Sequence, residues 1–140
     1  MDISSNYLIQ SSFPRVNPNN SAITSPETVS YNCIAWAAND DTKWWDPDPQ
    51  GQMYWPDDIP REYTVDAYTK LFEKFGYSQC ASSNLETGYE KVAIYVDRNG
   101  YPSHAARQLS NGKWTSKLGQ YKDIEHDSLN CLINDAYGVV

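Results

Sequence analysis

Positively charged residues are scarce in this 140-residue chain, which has 11 Lys and Arg against 18 Asp and Glu and a formal net charge of −7 at pH 7. Binding to nucleic acid or to anionic lipid relies on a basic surface. The apolar runs are also much shorter than the roughly 20 residues that a transmembrane helix needs. The composition therefore predicts that neither nucleic acid nor a membrane is a partner of this protein.

Cysteine and glycine are sparse, with 3 and 7 residues. The three cysteines, Cys33, Cys80 and Cys131, are odd in number and include no CxxC pair. They therefore have the spacing neither of a disulfide framework nor of a zinc site. The glycines form no phosphate-binding loop, which argues against nucleotide-dependent chemistry. We expect no metal and no cofactor.

The first residues lack the basic and apolar regions of a secretory signal. Together with the free thiols, this predicts a protein of the reducing cytoplasm. Export by a route that needs no cleaved signal would leave the same pattern.

Hydrophobic residues make up 40% of the chain and aromatic residues 14%, with 5 Trp and 11 Tyr. A disordered protein would have far fewer of both. The length suits one domain whose core needs no disulfide or metal. Residues 1–30 are polar and interrupted by Pro14, Pro18 and Pro26, which predicts an extended N-terminal arm. Residues 31–140 are predicted to form a single domain.

Two segments have the pattern of helices. Residues 33–38, CIAWAA, are a short apolar run with Asn32 as the predicted N-cap. Residues 64–75 have apolar side chains at helical spacing, begin at Thr64 and end before a glycine, which predicts an amphipathic helix. Between them, residues 39–62 form a long loop of the kind that often carries function.

Three later segments are β-branched, aromatic or alternating, and they cover residues 91–97, 103–109 and 113–118. An Asn-Gly pair separates each from the next, as in hairpin turns. We predict a three-stranded antiparallel meander, followed by a short closing helix over residues 127–136. Helices segregated from an antiparallel sheet define an α+β fold.

Cys33 is a candidate nucleophile because it is predicted to lie in the first turn of a helix. Backbone N–H groups there stabilise a thiolate and can hold an oxyanion. The competing interpretation is a buried core cysteine. His104 follows a turn and opens a predicted strand, which makes it a candidate general base for the thiol. Otherwise it is a surface histidine.

The segments YNCIAWA, which contains Cys33, and PSHAARQL, which contains His104, resemble those of papain-like cysteine hydrolases. The compact bacterial group with the NlpC-type and CHAP amidases is the most similar, over residues 31–119. The resemblance implies a papain-like α+β fold, in which a short N-terminal catalytic helix and a second helix pack on a small antiparallel sheet. It also implies that Cys33 is the nucleophile and His104 the base.

In that family a third polar residue orients the histidine, and its identity is open here. We rank Asp123 first, because a carboxylate stabilises an imidazolium, then Ser116 and then Glu125. A two-residue turn between the last two predicted strands would keep Ser116 off the face of His104. One more loop residue would bring it there.

The loop over residues 39–62 contains Trp44, Trp45 and Trp55 among several Asp residues. We assign these rings and Asn32 to substrate binding, since aromatic rings stack on sugars, other rings and apolar side chains. The acidic residues would favour a cationic group on the substrate. In the alternative interpretation, the rings pin the loop to the core and the acids are solvated.

The sequence thus predicts a thiol hydrolase or acyltransferase that acts on an amide bond of a peptide or protein. Peptidase, amidase and deamidase activities all fit, and a toxin or effector fits as well as a housekeeping enzyme. The alternative is a non-catalytic binding module of the same fold, in which the Trp-rich loop binds a protein or glycan. A structural partner protein with an acidic contact surface is a third interpretation.

Overall fold

The computed structural model describes residues 13–26, 28–118, 122–134 and 137–140. Within them the chain forms five strands, β1 Ser21–Ser25, β2 Val92–Val96, β3 Pro102–Gln108, β4 Trp114–Lys117 and β5 Asp123–His126. It also forms two α-helices, α1 Cys33–Ala37 and α2 Val65–Lys74, and a 3₁₀ helix over Leu129–Leu132.

Both helices begin where the sequence predicts. The side chain of Asn32 accepts a 3.2 Å hydrogen bond from the N–H of Ala35, and that of Thr64 accepts a 3.1 Å bond from Ala67. α1 has only five residues, because Asn39 adopts a left-handed backbone with a φ of 67° directly after its C-cap. The sequence therefore predicts both helices correctly, with α1 as the shorter.

The strands form one antiparallel sheet in the order β1-β5-β4-β3-β2. The predicted meander of β2, β3 and β4 is confirmed. β5 pairs with the free side of β4, and β1 pairs with β5 through residues such as Ile23 and Ile124. The last two strands thus extend the meander on one side.

The sheet separates two apolar clusters. One face contributes Tyr95, Trp114 and Ile124 to a core with the 3₁₀ helix. The other face, which includes Ala105, is covered by α1, α2 and the loop between them. α2 packs there through its buried side chains Ala67, Tyr68, Leu71 and Phe72, which lie on one side of the helix.

The predicted papain-like α+β fold is wrong. Only 16% of the structure is helical, so the domain is β-dominated and built on a five-stranded antiparallel sheet. The expected N-terminal catalytic helix is no more than the five-residue α1. The prediction failed because two strands have sequences that do not resemble strands. β1, SAITS, lies in a polar segment, and β5, DIEH, buries an acid and a histidine.

β1 also shifts the start of the domain. The predicted arm over residues 1–30 contains β1, whose Ile23 is buried in the core. The sheet therefore begins before residue 31, while residues 1–12 of the arm lie outside the described residues. The helix predicted over residues 127–136 is observed as the 3₁₀ helix Leu129–Leu132. Residues 135 and 136 of that prediction are not among those described.

Candidate functional site

Asn32 ties the start of α1 to the loop that follows it. Its Nδ2 donates a 2.6 Å hydrogen bond to the carbonyl of Trp45, and its Oδ1 accepts from the N–H groups of Trp45 and Ala35. The residue is buried. The structure thus places this predicted substrate-binding residue in a network of internal hydrogen bonds that holds Cys33 at the start of its helix.

Cys33 is the first residue of α1 and is half-buried. Burial raises the pKa of its thiol, whereas the backbone groups of Ala105 and Ile34 act in the opposite direction, because N–H donors stabilise a thiolate. The net shift is upward, so the thiol is protonated at neutral pH. This direction is opposite to that of the acidic thiol expected at a catalytic helix.

The backbone of Ala105 lies near the Cys33 sulfur, where the pairing of β3 with β4 has ended. Their ladder ends at the pair Arg107–Thr115. The N–H of Gln108 donates to the carbonyl of Lys91, next to β2. Since antiparallel strands alternate the side to which successive residues bond, the N–H of Ala105 points away from β2 and toward β4. The thiol thus lies beside β3, at the opening between β3 and β4.

His104 precedes Ala105 in β3, and its side chain lies on the other face of the sheet. It pairs with Tyr95 in β2, and the two rings meet edge to face at 5.2 Å. Its side chain is buried, and neither ring nitrogen has a hydrogen-bond partner among the described residues. Burial, together with nearby His126, lowers the pKa of His104 to about 3, so the ring is neutral at physiological pH.

The structure therefore brings Cys33 next to the strand of His104 but not to its ring. The thiol faces the backbone of β3, while the imidazole packs on the far face. In the part of the chain that the structure describes, no hydrogen bond joins them. The resting pair is a neutral thiol and a neutral imidazole, and not an ion pair.

Two of the candidates for the third residue lie away from His104. Asp123 belongs to the face covered by α1, where its Oδ2 accepts a 2.6 Å hydrogen bond from the hydroxyl of Tyr31. Glu125 is on that face too, since it alternates with Asp123, and it accepts a 3.2 Å bond from Asn111. Neither carboxylate is placed to orient the imidazole.

Ser116 does share the face of His104. Gln108 pairs with Trp114 at the β3–β4 turn, and this register puts Ser116 on that face. Its hydroxyl, however, is 2.8 Å from Nε2 of His126, whose Nδ1 is 2.9 Å from the carbonyl of Ser128. Ser116 therefore orients the second histidine.

Tyr137 is the neighbour of His104 that sequence reasoning missed. Its ring stacks on the imidazole with centroids 4.4 Å apart and planes 10° apart. Burial raises the pKa of its hydroxyl, and the electrostatic influence of Cys33 adds to this. Tyr137 thus contacts the ring of His104, and the charge of Cys33 influences the pKa of its hydroxyl. No local signal marks it, because the contact depends on the chain after β5 returning to the start of β3.

Trp45 and Trp55 hold the long loop against the core. Their indole N–H groups donate to Asp40 at 2.8 Å and to the carbonyl of Pro60 at 3.0 Å, and both rings are buried. Trp44 is half-buried. Rings enclosed in this way are not available for stacking on a ligand, so the structure favours the loop-pinning interpretation for Trp45 and Trp55.

An open depression of about 520 Å³ lies between the loop and the end of α2. Met53 and Tyr54 form an apolar wall, with 43% and 38% of their surfaces exposed. Asp58 and Lys74 line the depression as well and form a 2.9 Å salt bridge. The loop thus presents Met53 and Tyr54 to solvent, while Trp45 and Trp55 are buried.

The described residues contain no group of three His, Cys, Asp or Glu side chains arranged to hold a metal ion. Neither described helix has the length and apolar composition to cross a bilayer.

Comparison with known proteins identifies one family. No curated protein and no solved structure matches the chain. A family model described as a domain of unknown function, DUF7689, matches residues 22–140, which include both helices, β2 to β5 and nearly all of β1. Since the match covers most of the 140 residues, the chain belongs to the DUF7689 family.

Proposed function

We propose that this domain is a cysteine hydrolase or acyltransferase that acts on an amide bond, with Cys33 as nucleophile and His104 as general base. The observation that carries the proposal is the position of the Cys33 sulfur at the opening between β3 and β4, beside the backbone of Ala105. N–H donors beside a thiol stabilise both a thiolate and a developing oxyanion. His104 is the preceding residue of the same strand.

The buried imidazole supports a catalytic role for His104. A buried polar group without a hydrogen bond costs about 1–3 kcal/mol. Neither ring nitrogen of His104 has a partner among the described residues. An apolar side chain would fill this space without that penalty, so the histidine requires an explanation other than packing. At its buried position the imidazole is a weak base, because burial lowers its pKa to about 3, and it becomes a stronger base where it meets solvent at the opening between β3 and β4.

In the proposed reaction, the imidazole takes the thiol proton as the Cys33 sulfur attacks the acyl carbon. The carbon–nitrogen bond then breaks, and the imidazolium returns the proton to the leaving amine. This gives a thioester and a free amine. Water, or another nucleophile in a transfer reaction, cleaves the thioester and restores the thiol.

The reaction requires the imidazole to reach the sulfur, which the described conformation does not provide. Catalytic hydrogen bonds of unliganded enzymes are often long and form in the substrate complex. Because the β3–β4 ladder ends at Arg107–Thr115, the part of β3 with His104 is held by β2 and not by β4. A twist of this segment would carry the imidazole toward the opening.

p-Nitrophenyl acetate tests the proposal without knowledge of the natural substrate, because it acylates reactive thiols. We expect a burst of p-nitrophenol and an acetyl group on Cys33, located by peptide mass spectrometry. Cys33→Ser should abolish the burst, and His104→Gln should slow it by roughly 10²-fold or more. Cys80→Ser is the matched control, since Cys80 is an exposed cysteine. Acetylation at the parental rate in His104→Gln would refute the proposal.

Binding is a second candidate function, favoured by the exposed wall of Met53 and Tyr54. Two acidic and two basic side chains line the depression, so the contacts to a basic peptide would come from the ring of Tyr54 and the exposed carboxylate of Asp57. Titration with a lysine-rich peptide, followed by NMR, should shift the signals of these two residues. A Tyr54→Ala variant should weaken the shifts. If the peptide moves no signal in the depression, this candidate is excluded.

A further inference from the structure

A general base needs a group that fixes the plane of its ring, and the three polar candidates do not provide it. Asp123 bonds to Tyr31, Ser116 is engaged with His126, and Glu125 accepts from Asn111. The position that a polar residue would occupy beside His104 is instead taken by an aromatic ring.

We propose that Tyr137 is the positioning residue of His104, holding the imidazole by stacking and not by a hydrogen bond. The inference rests on the proposed function. The two rings are nearly parallel, with an angle of 10° between their planes and centroids 4.4 Å apart. Tyr95 meets the imidazole from a second direction at 61°. Two aromatic contacts in different directions restrict both the tilt and the rotation of the ring.

Stacking has a chemical consequence that a hydrogen bond would not have. A polar partner would occupy one ring nitrogen, whereas Tyr137 leaves both without a hydrogen bond among the described residues. The ring is therefore fixed relative to the β2–β3 hairpin, to which Tyr137 is also bound, and it keeps this orientation when the hairpin twists, while its nitrogens stay available for a proton. The other titratable group facing it is His126, which is itself buried and neutral.

Tyr137 is itself firmly held. Its N–H donates a 2.6 Å hydrogen bond to Oδ1 of Asn134, and its carbonyl accepts from the hydroxyl of Ser103, next to His104. Two residues later, Val139 exchanges backbone hydrogen bonds of 3.0 Å and 2.7 Å with Val96. The end of the described chain is thus clamped to both strands of the hairpin that carries the histidine.

NMR titration of the two histidine rings tests the inference, because His126 serves as an internal control within the same core. In the parent protein, both rings should stay neutral above about pH 5. Tyr137→Ala should raise the pKa of His104 toward its ordinary value of about 6.5 and leave His126 unchanged. It should also lower the rate of Cys33 acetylation by p-nitrophenyl acetate to that of His104→Gln. Tyr137→Phe keeps the stack and should restore the parental behaviour of both.

The outcomes separate this inference from the proposed function. If Tyr137→Ala shifts both histidines, the tyrosine only stabilises the core and the inference fails. It also fails if neither histidine shifts. If His104 alone shifts but Cys33 acetylation in the parent never depends on His104, the proposed function fails, and Tyr137 is a packing neighbour without a catalytic role.

Discussion

The hydroxyl of Tyr31 donates a 2.6 Å hydrogen bond to Oδ2 of Asp123, which is 1% exposed. Burial, followed by this hydrogen bond, raises the pKa of Tyr31 to about 12. The Tyr31 ring also stacks on Trp36, and the amine of Lys117 lies 5.5 Å from its centroid. Asp123 therefore belongs to a polar cluster beneath α1 and stabilises the fold instead of assisting His104.

Tyr31→Phe tests this assignment, because it deletes one hydroxyl and keeps the ring. The buried Oδ1 of Asp123 has no hydrogen-bond partner among the described residues, and Oδ2 would lose the one from Tyr31. We expect a loss of about 1–3 kcal/mol in the free energy of unfolding, measured by urea denaturation. The acetylation rate of Cys33 should stay parental. A lost Cys33 reaction in a folded variant would place Asp123 in the site after all.

The two buried histidines should make the protein labile to acid. Burial is the main cause that lowers the pKa of His104 to about 3 and that of His126 to about 4. Below pH 6.5 the unfolded chain therefore binds protons that the folded chain does not, and stability falls as the pH falls. From these values the loss is about 5 kcal/mol between pH 7.5 and pH 4.5.

His104→Leu separates this contribution from that of the carboxylates, which are the same in both proteins. The variant should lose only about half as much histidine-linked stability over the same pH range. Urea denaturation at several pH values measures the difference. Parallel stability curves for parent and variant would show that His104 titrates normally in the folded state.

Gly138 is the glycine whose replacement should disturb the environment of Tyr137. A Cβ there would lie 1.9 Å from the carbonyl oxygen of Val96, and its φ of +73° disfavours other residues. Gly138→Ala should break the Val96–Val139 pairing and lower the free energy of unfolding by about 3 kcal/mol.

Gly100→Ala is its matched control, since Gly100 has a φ of +83° but nothing within 4 Å of an added Cβ. It should cost only the strain of a left-handed residue, about 1 kcal/mol. Thermal unfolding of the two variants compares them. Equal losses of stability in the two variants would mean that the close approach of Gly138 to Val96 adds nothing to the cost of Gly138→Ala.

Replacing a tryptophan of the Trp-rich loop by alanine should lower the free energy of unfolding more when its ring is more deeply buried. Trp45→Ala is expected to cost about 3–5 kcal/mol, because it removes a buried ring that packs on Tyr54 and Phe75. Trp44→Ala removes a half-buried ring and should cost about 1 kcal/mol or less. Urea denaturation measures both. A stable, well-folded Trp45→Ala protein would argue that the ring serves a ligand and not the core.

Local patterns were enough to predict α1, α2 and the β2–β3–β4 meander. Asn32 and Thr64 are caps with side-chain acceptors, and the apolar spacing of α2 allowed a single buried face. β1 and β5 escaped prediction because their stability comes from pairing with distant segments. In β5, Asp123 and His126 are buried polar residues whose partners, Tyr31 and Ser116, lie elsewhere in the chain.

The site was harder to predict because it depends on which face each strand presents. The resemblance implied that Cys33 meets the side chain of His104, whereas the structure places the thiol near Ala105, the next residue of β3. The sequence did not indicate that the pairing of His104 with Tyr95 turns the imidazole to the far face. Tyr137 could not be predicted either, since its contact arises from the path of the chain after β5.

Alkylation of the three cysteines by iodoacetamide, followed by mass spectrometry between pH 5 and 9, tests the central claim most directly. Cys80 is exposed and Cys131 buried, so they provide internal references for free and enclosed thiols. We expect Cys33 to react faster than the buried Cys131, and His104→Gln to slow the reaction of Cys33 alone, because the imidazole takes the thiol proton during the attack. If Cys33 instead reacts as slowly as Cys131 and is indifferent to His104, it is a core cysteine and the proposed chemistry is wrong.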